Sequence, residues 1–176
     1  MNIVLIGYRG TGKSVVAEIL AKALNMARIG MDSEIVKKAG LTIPEIVEKY
    51  GWERFRDIES QIATKVSQQD NVIIDTGGGV IERPENMVAL RKNSIVIWLK
   101  ASVDMIVKRI ESGTERPSLT KGKSFIAEVS EVLGKRSPKY SDAALHEIDT
   151  DAMTPEQVAD RIKAIWKRES DKQRPI

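Results

Sequence analysis

The stretch that decides the fold is GYRGTGKS at residues 7–14, which matches the pattern GxxxxGK[ST] in full. An apolar run at 2–6 precedes it, and a segment with apolar residues at helical spacing, 13–24, follows it. Glycines let the backbone curl so that successive N–H groups face a phosphate, and a helix N-terminus adds its positive dipole end. The motif therefore predicts a phosphate-binding loop between the first strand and the first helix.

Within this loop, Lys13 and Ser14 carry the expected chemistry. We expect Lys13 to reach the β- and γ-phosphates of ATP and to act in catalysis, and Ser14 to offer its hydroxyl to Mg²⁺. The alternative is a glycine-rich turn whose lysine is merely solvated. The residues of this region that we expect to bind the nucleotide are Gly7, Gly10, Thr11, Gly12, Lys13, Ser14 and Val15.

Strand-like and helix-like segments alternate along most of the chain. Apolar runs suited to buried strands lie at 2–6, 71–75 and 94–99, with weaker ones at 27–31 and 144–149. Helical spacing is found at 13–24, 84–91 and 102–111. Because this alternation is typical of a parallel sheet covered on both faces, we predict an α/β fold with a five-stranded parallel sheet flanked by helices.

The length, 176 residues with 41% hydrophobic content, predicts a single domain over 1–170. The segment 33–68 interrupts the alternation with two or three helices and no strand, so we expect a helical insertion. The polar segment 113–124 is typical of a mobile loop. We expect the chain to fray after Arg168 and treat 171–176 as a tail. Trp52, Phe55, Ile58, Ile62 and Val66 form the predicted apolar stripe of the insertion.

Composition narrows the classes of function. The 28 basic and 25 acidic residues give a net charge of +3 without a dense basic block, which argues against a nucleic-acid partner. Without cysteine, disulfides, thiolate metal sites and thiol catalysis are excluded. The apolar N-terminal run is too short to span a membrane and lacks the flanks of a signal peptide. We expect a soluble, cytoplasmic monomer without membrane partners, in which the single histidine, His146, is structural.

Four features follow the loop in this order: Asp32, the segment FRDIE at 55–59, three glycines at 77–79, and Arg136. Shikimate kinases have similar features in the same order. Two further stretches are similar to that family's lid and adenine segments: Arg116-Pro117, and IDT at 148–150 followed by Pro155. The chain thus resembles a shikimate kinase along nearly its whole length. The resemblance implies a P-loop NTPase fold like that of nucleoside monophosphate kinases, with ATP and shikimate as substrates and shikimate 3-phosphate and ADP as products.

The resemblance also implies roles at the acceptor side. Asp32 would orient or deprotonate the attacking hydroxyl and so act in catalysis. Arg56 and Arg136 would hold the carboxylate of shikimate, because planar guanidinium groups grip carboxylates through paired hydrogen bonds. The glycines would allow close approach of the backbone to the substrate. The implied acceptor-binding set is Asp32, Arg56, Gly77, Gly78, Gly79 and Arg136.

At the nucleotide side, the resemblance implies three further residues. Arg116, in the predicted lid, would stabilise charge on the transferring phosphoryl group and exclude water when the lid closes. Arg109 would stack on adenine, and Pro155 would close the other side of the base.

Each acceptor residue also has a purely structural alternative. Arg56 and Glu59 stand at i, i+3 and could form an ordinary surface ion pair, although Glu59 could also hold Arg56 in position. Arg136 could neutralise the end of a helix. Asp32 could cap a helix that begins near Ser33.

The chain departs from the family at the end of the second strand. The family carries two aspartates there, the first near Mg²⁺ and the second on the substrate, whereas this chain has Gly30 and a single Asp32 in that stretch. The spacing to Arg56 fits Asp32 as the second aspartate, so Gly30 takes the metal-side position. We hypothesise that Asp75, which ends the third predicted strand, replaces the missing carboxylate and binds Mg²⁺ with Ser14.

Two other functions remain open at this point. Gluconate kinases and nucleoside monophosphate kinases share the loop, insertion and lid, but a monophosphate acceptor would need more arginines. A nucleotide-binding regulator that has lost catalysis would account for Gly30. The retained Lys13, Ser14, Asp32 and Arg116 argue against the regulator.

Overall fold

The computed structural model describes residues 1–111 and 124–172. Its centre is a sheet of five strands: β1 (Asn2–Ile6), β2 (Ala27–Gly30), β3 (Val72–Asp75), β4 (Ser94–Lys100) and β5 (His146–Asp149). Every pairing is parallel, and the strand order is β2-β3-β1-β4-β5. The five predicted strands are confirmed to within two residues at each end.

Helices cover both faces of this sheet. Side chains alternate along a strand, so β1 sends Val4 and Ile6 into one core and Ile3 and Leu5 into the other. The helices are α1 (Lys13–Leu24), α2 (Met31–Ala39), α3 (Ile43–Val66), α4 (Pro84–Leu90), α5 (Val103–Glu111), α6 (Phe125–Ala143) and α7 (Pro155–Lys172), with a 3₁₀ turn at Val80–Glu82. The first core packs against α2, α3, α4 and α6, and the second against α1 and α7.

The helical insertion consists of α2 and α3. α3 bends at Gly51, which has φ 81° and ψ 170°, so the insertion holds three helical segments. A capping box between Thr42 and Glu45 begins α3. The predicted apolar stripe is correct except for Trp52, which is 47% exposed because it follows the bend and packs edge-on against Phe55 instead of entering the core.

Two boundaries differ from the prediction. α2 begins at Met31 rather than near Ser33. At the other end of the chain, α7 continues to Lys172, so 169–172 are helical and not frayed as expected. Residues 173–176 lie outside the described part of the chain. The predicted loop 113–124 lies outside the described residues except for Ser124, which caps α6. Within the described ranges, no helix combines the length and apolarity needed to cross a membrane.

The topology creates a single functional edge. Strands that run parallel bring their carboxyl ends to the same side of the sheet, and β1 lies between β3 and β4. The phosphate loop follows β1, the residues around Asp32 follow β2, and the three glycines follow β3. Open α/β sheets bind ligands at this edge, so the predicted site residues that follow these three strands converge there.

Candidate active site

The phosphate loop is closed by contacts within itself. Lys13 Nζ donates hydrogen bonds to the carbonyl oxygens of Gly7 and Tyr8, at 2.8 and 2.9 Å. The buried Thr11 hydroxyl donates to the same Tyr8 carbonyl at 2.8 Å. Gly7 has φ 142°, and a side chain there would meet the Leu99 carbonyl of β4. The loop is therefore a compact cradle whose lysine lies along its inner side.

A cavity of about 620 Å³ opens in front of this loop. On one side it is lined by Lys13, Ser14 and Val15, and on the other by residues after β2 and β3, including Asp32 and Gly77. One cavity thus joins the predicted nucleotide residues to part of the predicted acceptor set. Its volume falls in the range of small-ligand sites.

Asp32 occupies the first turn of α2 and faces the glycine turn after β3. A Cβ placed on Gly77 would lie 2.8 Å from Asp32 Oδ1 and 3.3 Å from Glu59 Oε1. Gly30, not Asp32, is the N-cap residue of α2. The capping alternative for Asp32 is therefore wrong, and its carboxylate lines the cavity instead.

Arg56 and Glu59 form an ion pair, but it is not an ordinary surface pair. The distance between Arg56 Nη1 and Glu59 Oε2 is 2.6 Å, and the side chains are 14% and 1% exposed. Burial raises the pKa of Glu59, against the opposing attraction of Arg56. The rings of Phe55 and Trp52 lie 5.0 and 5.6 Å from the guanidinium carbon. These contacts fix the guanidinium in one place, as a carboxylate-binding group requires.

The glycine turn is contacted from both sides by the two predicted clamp arginines. A side chain on Gly79 would collide with the Arg56 guanidinium. From α6, Arg136 Nη1 donates to the Gly78 carbonyl at 3.4 Å, and its Nε donates to Glu82 at 2.7 Å. Although burial opposes it, Lys139 and Arg136 lower the pKa of Glu82.

This arrangement corrects the alternative reading of Arg136. α6 continues through Pro138 to Ala143, so Arg136 stands inside the helix and not at its end. The Tyr140 hydroxyl donates to the Gly78 carbonyl, and burial raises the pKa of Tyr140. α6 thereby holds the glycine turn and presents Arg136 to it.

Asp75 also lines the cavity, close to the end of β3. Its Oδ2 accepts a hydrogen bond from Arg28 Nη2 at 2.7 Å, and the residue is 6% exposed. Ser14 lines the same cavity. Residues 1–111 and 124–172 contain no group of three or more carboxylate or histidine ligands. A pair of oxygen ligands fits Mg²⁺, which keeps several waters and is completed by substrate phosphates.

The adenine-side predictions are partly described. Arg109 donates to the Thr150 hydroxyl at 2.9 Å and to the Thr150 carbonyl at 2.8 Å, and its Nη1 reaches the Gly10 carbonyl at 3.4 Å. Arg109 therefore bridges the phosphate loop and the segment after β5. Pro155 is the exposed first residue of α7. Arg116 lies outside the described residues.

Three ion pairs at the site are not predicted from the sequence. Arg28 pairs with Asp75, Glu82 with Arg136, and Arg9 of the phosphate loop with the buried Glu128 at 3.5 Å. Among the residues of these pairs that are not already part of the predicted site, only Arg28 could have been placed near the site from the local sequence. It lies two residues before Gly30 on a strand, and therefore on the same face.

The fold and the cavity define a class of protein, the small-molecule kinases of the P-loop NTPase type. A model of the shikimate kinase family matches residues 9–167. The chain belongs to the shikimate kinase family.

Relatives of the chain agree with this assignment. A shikimate kinase from Caldicellulosiruptor bescii is 38% identical over 164 residues, which are 93% of this chain and 94% of the relative. Shikimate kinase 2 from Enterobacter sp. strain 638 is 45% identical over 163 residues, 91% of this chain and 92% of the relative.

Among solved structures, that of shikimate kinase from Acinetobacter baumannii in complex with shikimate is similar to this chain, with a TM-score of 0.88. The two are 30% identical, and the match covers 98% of this chain and 95% of the other. The predicted fold class is confirmed.

Proposed function

We propose that the protein transfers the γ-phosphoryl group of ATP to the 3-hydroxyl of shikimate and releases shikimate 3-phosphate and ADP. One observation carries the proposal: a single cavity joins Lys13 and Ser14 of the phosphate loop to Asp32 and the glycine turn. Arg56 and Arg136 contact that same turn. An acceptor with one carboxylate and several ring hydroxyls matches two guanidinium groups beside one carboxylate.

The mechanism rests on positioning and charge neutralisation. We infer that Asp32 accepts a hydrogen bond from the attacking hydroxyl and takes its proton as the new P–O bond forms. The bond between the γ-phosphorus and the bridging oxygen breaks, and ADP leaves with that oxygen. Lys13 neutralises charge on the transferring oxygens, and we propose that Arg116 adds to this from the predicted lid.

Ser14 and Asp75 are the residues that we propose hold Mg²⁺. The ion would neutralise the charge of the outer phosphates of ATP when it is bound. For adenine we propose Arg109 and Pro155, with the contact between Arg109 and Thr150 as support for the first. The cytoplasmic location and the monomeric state stay predictions.

The decisive test is ADP release from Mg²⁺-ATP with different acceptors. We expect release with shikimate, and none above background with gluconate, with a mixture of nucleoside monophosphates or without an acceptor. Release with another acceptor would reject the assignment of the pocket. ATP binding without turnover on any acceptor would instead favour the regulator.

A substitution tests the role of Asp32. Asp32→Asn should lower kcat by about 10²–10⁴, the range for loss of a general base. Asp160→Asn is the matched control, because Asp160 is an exposed residue of α7, on the far side of the sheet from α2. Equal turnover by the two variants would contradict the proposed role.

A further inference from the structure

The ion pair between Arg28 and Asp75 lies inside the active-site cavity. Both residues line it together with Lys13 and Ser14. The Asp75 side chain is 7% exposed, whereas that of Arg28 is 36% exposed. The Arg28 guanidinium thus occupies one oxygen of Asp75, the carboxylate that we propose binds Mg²⁺.

The register of β2 and β3 accounts for this contact. Arg28 is paired with Ile73, so Asp75 is its diagonal neighbour on the same face of the sheet. Gly30 is paired with Asp75 and puts no side chain between them. A Cβ on Gly30 would lie 4.0 Å from Arg28 Nη2, which shows that the guanidinium lies across the end of β2.

The two oxygens of Asp75 are not equivalent. Oδ2 accepts the hydrogen bond from Arg28 at 2.7 Å. Among the described residues, no hydrogen-bond donor to Oδ1 is found. A metal ion or its bound water can therefore approach Oδ1, but only next to a guanidinium that carries charge of the same sign.

We propose that Arg28 competes with Mg²⁺ for Asp75 and thereby sets the metal affinity of the active site. The inference rests on the proposed function, in particular on the metal role of Asp75. A divalent ion at Asp75 weakens the hold of the carboxylate on Arg28 and repels the guanidinium. By linkage, the ion pair weakens metal binding to the same extent.

Arg28 has another anionic neighbour when the metal is bound. Glu18 lies on α1, the helix that packs on the same face of the sheet as Asp75. The pKa of Glu18 is lowered chiefly by Lys22 and to a smaller extent by Arg28. Released from Asp75, the guanidinium would stay within electrostatic reach of Glu18 and would face the phosphates of a bound nucleotide.

The test is a double-mutant cycle on metal binding, measured as free Mn²⁺ by electron paramagnetic resonance with ADP at one fixed concentration. Arg28→Gln should tighten Mn²⁺ binding by about tenfold, and Asp75→Asn should weaken it. In the Asp75→Asn background, Arg28→Gln should have a clearly smaller effect, because the competition has been removed. Arg161→Gln removes one exposed positive charge on α7 and should change nothing.

The cycle separates competition from a general effect of charge. Equal tightening by Arg28→Gln in both backgrounds would mean that Arg28 acts only through its field, and the inference would be wrong. No tightening in either background would also reject it. Unchanged Mn²⁺ binding in Asp75→Asn would reject the metal role of Asp75 and the inference together.

Results that reject the proposed function differ from those that reject the inference about Arg28. Turnover with an acceptor other than shikimate would reject that function but would not change the results expected from the double-mutant cycle on Mn²⁺ binding. Normal turnover with shikimate and no effect of Arg28→Gln on Mn²⁺ binding would leave the function and reject the inference.

Discussion

At the scale of single residues, we propose that acceptor binding depends indirectly on the buried Glu59. It touches Arg56 at 2.6 Å and lies beside the position of Gly77. Its task is to hold a guanidinium, so it is a positioning residue. Its loss should therefore affect binding of the acceptor more than the chemical step.

We predict that Glu59→Gln raises the KM for shikimate about tenfold with a smaller change in kcat, because a hydrogen bond to a charged group is weakened. Steady-state kinetics at saturating ATP would measure both constants. Gln61→Glu, two residues further along α3 on an exposed side chain, is the control and should leave both unchanged. A fall in kcat at constant KM would contradict a positioning role.

The pKa of Glu59 gives a second prediction. Because burial raises this pKa, the unfolded chain releases the proton near the ordinary value of 4.5, while the folded protein keeps it to higher pH. The contribution of Glu59 to the free energy of unfolding is therefore complete below pH 4.5 and is lost as the pH rises through the raised pKa.

Urea denaturation across this pH range would measure the effect. The free energy of unfolding of the wild type, relative to that of Glu59→Gln, should decline as the pH increases. The difference between the two proteins isolates Glu59 from the other carboxylates. A difference that stays constant would show that the attraction of Arg56 balances burial, and one that grows in favour of the wild type would show that it outweighs burial.

At the scale of secondary-structure elements, two glycines provide a matched pair. Gly51 lies at the bend of α3 with φ 81° and ψ 170°, a region that is essentially restricted to glycine. Gly134 lies inside α6. A Cβ added at either position meets nothing within 4 Å. The two sites therefore differ in backbone conformation and not in available space.

Gly51→Ala should lower the free energy of unfolding by about 1–3 kcal/mol, because alanine is strained in that conformation. Gly134→Ala should raise it by roughly 0.5–1 kcal/mol, because alanine is the better helix former. Chemical denaturation of both variants would measure the two changes. Opposite signs are the essential result, and destabilisation of equal size in both would contradict the backbone explanation.

Elements that follow from local patterns could be predicted from the sequence. The buried runs of β1, β3 and β4 and the phosphate loop are local signals, and each is found where expected. β2 has a weaker signal because it is an edge strand with exposed and half-buried residues. Trp52 was misjudged because helical spacing does not show that α3 bends at the preceding residue.

The sequence predicts that certain residues of the candidate site lie close together, but it does not predict which pairs of residues form contacts. Asp32, Arg56 and the glycine turn converge as expected. The pair formed by Arg136 and Glu82 spans 54 residues, and that formed by Arg28 and Asp75 spans 47. Such contacts depend on packing and register, which a single sequence does not display.

At the scale of the whole molecule, the sheet separates two binding tasks at one edge. We propose that the loop after β1 provides the groups for the nucleotide. The residues after β2 and β3, together with α3 and α6, would provide those for the acceptor. The turn that includes Gly78 connects the two parts, since a Cβ on Gly78 would lie 3.3 Å from the Arg9 nitrogen and 3.4 Å from the Gly7 carbonyl. Because the two sets of groups nevertheless come from different elements, each should be separable from the other by mutation.

Thermal unfolding with each ligand tests this division. A ligand at 100 times its Kd stabilises the folded state by about 2.7 kcal/mol, which corresponds to a rise in Tm of roughly 5–10 °C for a chain of this size. Asp32→Asn should keep the shift caused by Mg²⁺-ADP and lose most of the shift caused by shikimate. Lys13→Met should show the reverse.

Each shift is taken relative to the same variant without ligand, because Lys13 also holds the Gly7 and Tyr8 carbonyls and its loss lowers the Tm of the ligand-free protein. If either variant lost both shifts, the two halves would not bind independently. Coupling through the turn at Gly78 would then be strong enough that a change on one side of the cavity reaches the ligand on the other.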